Sequence, residues 1–130
     1  MKFLLDANAV IAILKGHSTL LDRLKQHQPS DFGVPAVVVH ELYYGAFKSQ
    51  KMAENLDRVE ALQFQIVELD REDARQSGRV RAALALAGTP IGPQDVLIAG
   101  QALARSLVLI THNVNDFQRV TGLRLEDWEA

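Results

Sequence analysis

The sequence contains no cysteine, which excludes disulfides, thiolate metal sites and cysteine nucleophiles. Its four histidines, His17, His27, His40 and His112, form no HxH or HExxH cluster, which argues against a zinc site. It also lacks an apolar run near the roughly 20 residues of a membrane-spanning helix. Met1-Lys2-Phe3-Leu4-Leu5 imitates the start of a signal peptide, but Asp6 and Asn8 break the run and no small-residue cleavage site follows. A cytoplasmic protein with no membrane partner is expected. Basic residues are not in excess: 14 Lys and Arg stand against 16 Asp and Glu, a net charge of −2. Any contact with nucleic acid must therefore come from a local site rather than bulk charge. Internal repeats, low-complexity tracts, a Walker loop and a GxGxxG loop are all missing, so nucleotide hydrolysis has no phosphate cradle.

What is present suits one folded unit over residues 1–130. Hydrophobic residues make up 48% and charged residues 23%, and a chain of this size buries about two thirds of its unfolded surface. Apolar runs predict strands at Lys2–Leu5, Phe32–Val34, Ile66–Leu69 and Leu107–Thr111, with an edge strand at Leu123–Leu125. Helical periodicity predicts helices over Ala9–Leu14, from an N-cap at Ser18 to His27, over Ala36–Lys48 behind a first-turn Pro35, over Met52–Phe64, from Asp70 to Ala87, and over Gln94–Ala104. Strands alternating with helices imply a three-layer α/β/α sandwich around a mostly parallel sheet. In such sheets, sites form beyond the carboxyl ends of the strands.

Four of the acids fall near that edge. Asp6 follows Phe3-Leu4-Leu5, where it either caps the next helix or faces a site. Glu41 has Val37, Val38, Tyr44 and Gly45 as its helical neighbours, so its carboxylate needs donors, a cation or an arginine partner. Asp95 opens the helix after Pro90 and Pro93, a position the helix N-terminus also favours. Asp116 follows the Leu107–Thr111 strand and is, taken alone, an ordinary turn residue. Clustered carboxylates repel unless a cation neutralises them, and hard Mg²⁺ or Mn²⁺ prefers such oxygen ligands. A site of that kind suits hydrolysis of a phosphodiester.

Four segments carry a further resemblance: Phe3-Leu4-Leu5-Asp6-Ala7-Asn8, His40-Glu41-Leu42-Tyr43-Tyr44-Gly45-Ala46, Gly88 through Asp95 with Ile98-Ala99, and Thr111-His112-Asn113 through Asp116-Phe117. In order and spacing they resemble the PIN-domain ribonucleases, and within them the VapC toxins of bacterial VapBC modules. The resemblance implies a magnesium-dependent endoribonuclease whose catalytic and metal-binding acids are Asp6, Glu41, Asp95 and Asp116. Asn8, Thr111 and Asn113 match its supporting polar positions. Ala7 departs from the pattern, which usually has a hydroxyl residue there. Also implied are structured RNA as substrate, with transfer RNA anticodon loops as the class, a VapB antitoxin covering the groove, a homodimer, and operator DNA bound through the antitoxin.

Lys48, Lys51, Arg79 and Arg81 are the candidates for guiding RNA, with solvated helix surface as the competing reading of each. Arg79 and Arg81 precede the Pro90 loop, which would let them flank the groove. The Leu56–Leu62 and Val80–Leu86 faces read as core, or as a dimer contact. Two other enzyme classes fit poorly. A haloacid-dehalogenase-type phosphatase wants an acid where Asn8 stands, and a receiver domain wants a lysine and an acid pair. From a different class, a non-catalytic RNA- or antitoxin-binding module would tolerate loss of the acids, yet all four are intact.

Overall fold

The structure, a computed structural model, describes residues 1–130. Its strands are β1 (Phe3–Leu5), β2 (Phe32–Pro35), β3 (Gln65–Val67), β4 (Val108–Ile110) and β5 (Leu125–Glu126). The helices are α1 (Ala7–Leu14), α2 (Ser18–Leu24), α3 (Ala36–Phe47), α4 (Met52–Glu60), α5 (Arg71–Leu86), α6 (Pro93–Ala104) and α7 (Val114–Phe117). The strands form one sheet in the order β3-β2-β1-β4-β5, and every pairing is parallel. Helices between the strands make an α/β/α sandwich, and parallel strands covered on both faces need apolar residues throughout. Accordingly Phe3, Leu4 and Leu5 are all buried, as are Leu109 and Ile110. No helix is long and apolar enough to cross a membrane.

The chain runs outward from β1 through β2 to β3, then returns through α5 and α6 to place β4 against the other side of β1. This reversal is the topological switch point, where the loops leaving two neighbouring strands diverge and open a crevice. Leu5 pairs with Ile110 at the carboxyl end of that junction. Asp6 and Thr111 are therefore the first residues beyond the sheet on either side of it.

Boundaries differ from the sequence reading where tertiary contacts override local pattern. Pro35 ends β2 with ψ 143° instead of opening the helix, and pairs with Val67. His17 rather than Ser18 caps α2, its Nδ1 accepting the Leu20 N–H at 3.3 Å. That helix stops at Leu24 because the His27 ring is drawn against Trp128, with ring centroids 5.5 Å apart. Helix α4 stops at Glu60, which frees Leu62 and Phe64 to pack on the core as the chain enters β3. Helix α1 begins at Ala7, capped by Asp6, and the last strand lies at Leu125–Glu126. Leu86, read as core, is 90% exposed.

Two contacts fix the return crossover. Gly100 of α6 lies so close to α5 that a Cβ there would stand 2.6 Å from the Ser77 Cα and backbone nitrogen. Backbone cannot swing aside as a side-chain tip can, so Gly100→Ala is expected to lower stability by about 3 kcal/mol, the upper range for overpacking. Urea unfolding would check this, with a lower midpoint at unchanged slope as the expected result. The second contact is a buried carboxylate. Asp73, 1% exposed, bonds Arg105 through both oxygens at 3.2 and 2.9 Å and takes a third bond from Gln101 at 3.3 Å. Gln101 and Arg105 also donate to the Glu68 carbonyl, tying α6 to the chain leaving β3.

Candidate active site

Asp6 is 4% exposed and uses both oxygens. Oδ1 accepts the Ala9 N–H at 2.8 Å, which makes Asp6 the N-cap of α1. Oδ2 accepts the Thr111 hydroxyl at 2.5 Å from across the switch point. The same Thr111 oxygen accepts the Asn113 N–H at 2.9 Å, and the Asn113 side-chain amide donates to Asp116 Oδ2 at 3.1 Å. A continuous chain of hydrogen bonds thus joins Asp6 to Asp116 through Thr111 and Asn113. Thr111 is itself buried, and one hydroxyl can hold both orientations only because it donates and accepts at once.

Glu41 and Asp95 arrive from the helices. The core side of α3 is Val38, Leu42 and Ala46, so Glu41 stands on the cleft side of that helix. It makes neither an ion pair nor a hydrogen bond, and the arginine partner weighed from sequence is not there. Asp95 lies in the first turn of α6, after Gly92 and Pro93. A Cβ on Gly92 would stand 3.4 Å from Asp95 Oδ2, an ordinary contact distance, so the chain entering α6 runs directly beside the carboxylate.

These side chains line a cleft of about 410 Å³ whose wall includes Asp6, Asn8, Glu41, Gln94, Asp95 and Asn113, with Val37, Val38 and Ile98. No lysine or arginine contributes to it. Asp116 lies behind Asn113 and acts on the cleft through its charge. Burial pushes Asp6 above the ordinary carboxyl range; the Thr111 and Ala9 bonds oppose this, and the charges of Asp95 and Glu129 add to it. Burial also raises Asp95, reinforced by the charges of Asp116 and Glu41. The four acids named from sequence therefore share one electrostatic field. No three of their oxygens close to within 4.8 Å of one another, so the arrangement is an open acidic bowl rather than a tight cage. That fits a hard cation held by a few carboxylates with water completing its shell.

The supporting residues Asn8, Thr111 and Asn113 all belong to this site, on its wall or in its bond network. Ala7 also lines the cleft, with a methyl group where the resemblance has a hydroxyl. None of the four basic candidates does. The Lys48 ammonium sits 4.6 Å above the Tyr44 ring, and Lys51 precedes α4. Arg79 bonds Gln76 and lines a separate depression with Thr89 and Arg119, while Arg81 is exposed on α5. Sequence reasoning missed Arg119, which donates to the Pro90 carbonyl at 3.2 Å and lies 3.6 Å from Asp116. Its place three residues after Asp116 on a helical turn was the available signal. Also missed was a group beside the bowl: His112 Nδ1 lies 3.0 Å from Asp127 Oδ2, with Glu129 adjacent. The hydrogen bond to Asp127 and the charges of Asp127 and Glu129 hold His112 above the ordinary imidazole range.

Comparison with known proteins gives a consistent pattern. The family described as PIN domain matches residues 3–123. The chain is 37% identical over 130 residues to the tRNA(fMet)-specific endonuclease VapC of Salmonella typhimurium, covering 98% of each. To Ribonuclease VapC2 of Haemophilus influenzae it is 34% identical over 131 residues, again covering 98% of each. Among solved structures, DNA-bound VapBC from Salmonella typhimurium superposes with a TM-score of 0.93 at 37% identity, covering 98% of both chains. VapBC-1 from nontypeable Haemophilus influenzae does so at 0.90 and 31%, covering 100% of both.

Proposed function

The chain belongs to the VapC ribonucleases of the PIN domain family, and on that premise we propose that it is a Mg²⁺-dependent endoribonuclease toxin. Its substrate is structured RNA, with transfer RNA cut in the anticodon loop as the favoured class. The observation that carries this reading is the cleft wall of Asp6, Glu41 and Asp95, backed by Asp116: burial and neighbouring acids raise Asp6 and Asp95, no basic side chain lines the wall, and Arg119 reaches only Asp116, at 3.6 Å. Unpaired negative charge in a crevice is costly unless a cation is its partner.

Asp6, Glu41, Asp95 and Asp116 would hold Mg²⁺, with Mn²⁺ able to replace it. When bound, such an ion lowers the pKa of water and steadies negative charge on phosphodiester oxygens. The chain's own contribution is positional. Thr111 and the α1 N-terminus aim the two oxygens of Asp6, and Asn113 aims Asp116. Val37, Val38 and Ile98 make the wall between the acids partly apolar. Asn8 and Gln94 offer neutral donors to RNA at the rim.

The proposed partner is a VapB-type antitoxin. An apolar groove lined by Ile11, Leu14, Leu42, Ala46 and Val59 adjoins the bowl and shares Ala7 and Glu41 with it. A segment laid there would block the acids, and contact with operator DNA would fall to the antitoxin, since this chain carries a net charge of −2. A homodimer is the proposed assembly of the toxin itself.

The decisive experiment incubates purified, antitoxin-free chain with total transfer RNA and sequences the new ends. Discrete internal cuts are expected with Mg²⁺, none with EDTA, and recovery on adding excess Mg²⁺. Cleavage that survives EDTA would overturn the metal reading. Tight RNA binding without cuts under any divalent ion would instead identify a non-catalytic module.

A further inference from the structure

We propose a second cation site on the lip of the bowl, made by His112, Asp127 and Glu129 and suited to Zn²⁺ or a similar borderline ion rather than Mg²⁺. One donor atom from each of the three lies within 4.8 Å of the other two. The fold brings them together from distant parts of the chain. His112 follows Thr111 at the exit of β4, while Asp127 and Glu129 follow β5. The two exits are locked side by side, since Ile110 pairs with Glu126 and the Thr111 N–H donates to the Glu126 carbonyl at 3.1 Å.

The acids are held in place as well as brought near. Trp128, between them, is 1% exposed and packs against Phe3 and His27 at 5.0 and 5.5 Å. Its Nε1–H donates to Glu126 Oε1 at 2.9 Å. With Trp128 turned inward, Asp127 and Glu129 are fixed on either side of it. Asp127 Oδ1 accepts the Glu129 N–H at 3.0 Å, and its Oδ2 faces His112. The Glu129 carboxylate has no hydrogen-bond or ion-pair partner, and no lysine or arginine joins the group. Across the lip Asp6 adds a further negative charge.

Donor chemistry separates this site from the bowl. Zn²⁺ takes imidazole nitrogen and carboxylate oxygen together, and three protein ligands with water complete its shell. Mg²⁺ favours oxygen alone and keeps several waters. The two ions would thus sort between neighbouring sites, and an ion on the lip would clamp the chain after β5 to the exit of β4. This inference does not depend on the ribonuclease reading.

The test is calorimetric titration of Zn²⁺ into the purified chain in excess Mg²⁺, which keeps the bowl occupied. Wild type is expected to bind a single equivalent. His112→Ala and Glu129→Gln should each weaken binding by about tenfold or more, and Asp95→Asn should leave it intact. Zinc should also raise the melting midpoint of wild type and Asp95→Asn but not of His112→Ala, because only a ligand of the folded form shifts that midpoint. The His112 side chain is 63% exposed, so His112→Ala is expected to fold and to keep Mg²⁺-dependent RNA cleavage. Zinc binding unchanged in His112→Ala, binding lost in Asp95→Asn, or no binding by wild type would each overturn the site.

Discussion

Asp95→Asn is expected to reduce RNA cleavage by about 10²- to 10³-fold, the scale seen when one preorganised charge-stabilising group is removed, while making the ion-free protein more stable. Both effects come from one carboxylate. Asparagine keeps the size and the acceptor oxygen but removes the charge that completes the acidic field with Glu41 and Asp116. The sign of the stability change follows from linkage. The folded-state pKa of Asp95 is raised, so the folded protein holds this proton more tightly than the unfolded chain does. Its contribution is fully present below the ordinary carboxyl value of about 3.9 and is lost as pH rises through the folded-state value. At neutral pH the ionised group therefore works against folding, and the amide relieves it. Thermal melts at pH 7 in EDTA should show a higher midpoint for Asp95→Asn than for wild type, and added Mg²⁺ should narrow the gap by stabilising wild type more. A lower midpoint in EDTA would mean that Asp95 has a structural role; full cleavage by the variant would remove it from the site.

Asp73→Ala should lower stability by about 3 kcal/mol. Burial alone works against ionising Asp73, but the bonds from Arg105, the Asp70 N–H and Gln101, together with the Arg105 charge, outweigh it and hold the carboxyl below its ordinary range. Arg105 keeps access to water, with 34% of its side chain exposed, which places the cost at the lower end for a broken buried pair. Asp73 and Asp70 also cap α5 reciprocally, at 2.9 and 3.1 Å, so alanine loosens the start of that helix too. Because the folded-state pKa is depressed, this stabilisation is present above about pH 3.9 and is lost as pH falls through the lower folded-state value. Urea unfolding at pH 7 checks the magnitude. Repeating it toward pH 3 should show the wild-type advantage shrinking, and an unchanged advantage would assign the effect to packing.

Much of this was legible in the chain, for reasons particular residues show. Apolar triplets such as Phe3-Leu4-Leu5 announce buried parallel strands, and an acid directly after one must lie at the sheet's carboxyl edge. That placed Asp6 and, through the Leu107–Thr111 run, the approach to Asp116. Glu41 was identified from its apolar helical neighbours, of which Val38 is buried in the core, Val37 and Val38 share the cleft wall with Glu41, and Tyr44 is exposed. Elements whose ends depend on distant packing were not legible. His27 leaves α2 for Trp128, and Leu62 and Phe64 leave α4 for the core. The grouping of His112 with Asp127 and Glu129 was hidden because nothing local signals that β5 pairs with β4. That Arg79 and Arg81 do not line the cleft was not legible, because helical phase does not say on which side of α5 the bowl lies.

The central position of β1 bears on how the protein comes into being on the ribosome. Of the five strands it is translated first, yet one of its flanks stays bare until β4 emerges, and Asp116 is the last of the four acids to be made. At ordinary elongation rates that gap lasts on the order of ten seconds. Throughout it the nascent polypeptide cannot assemble the centre proposed to cut RNA, so a ribosome makes all of the chain from β1 to β4 before its own product could threaten it.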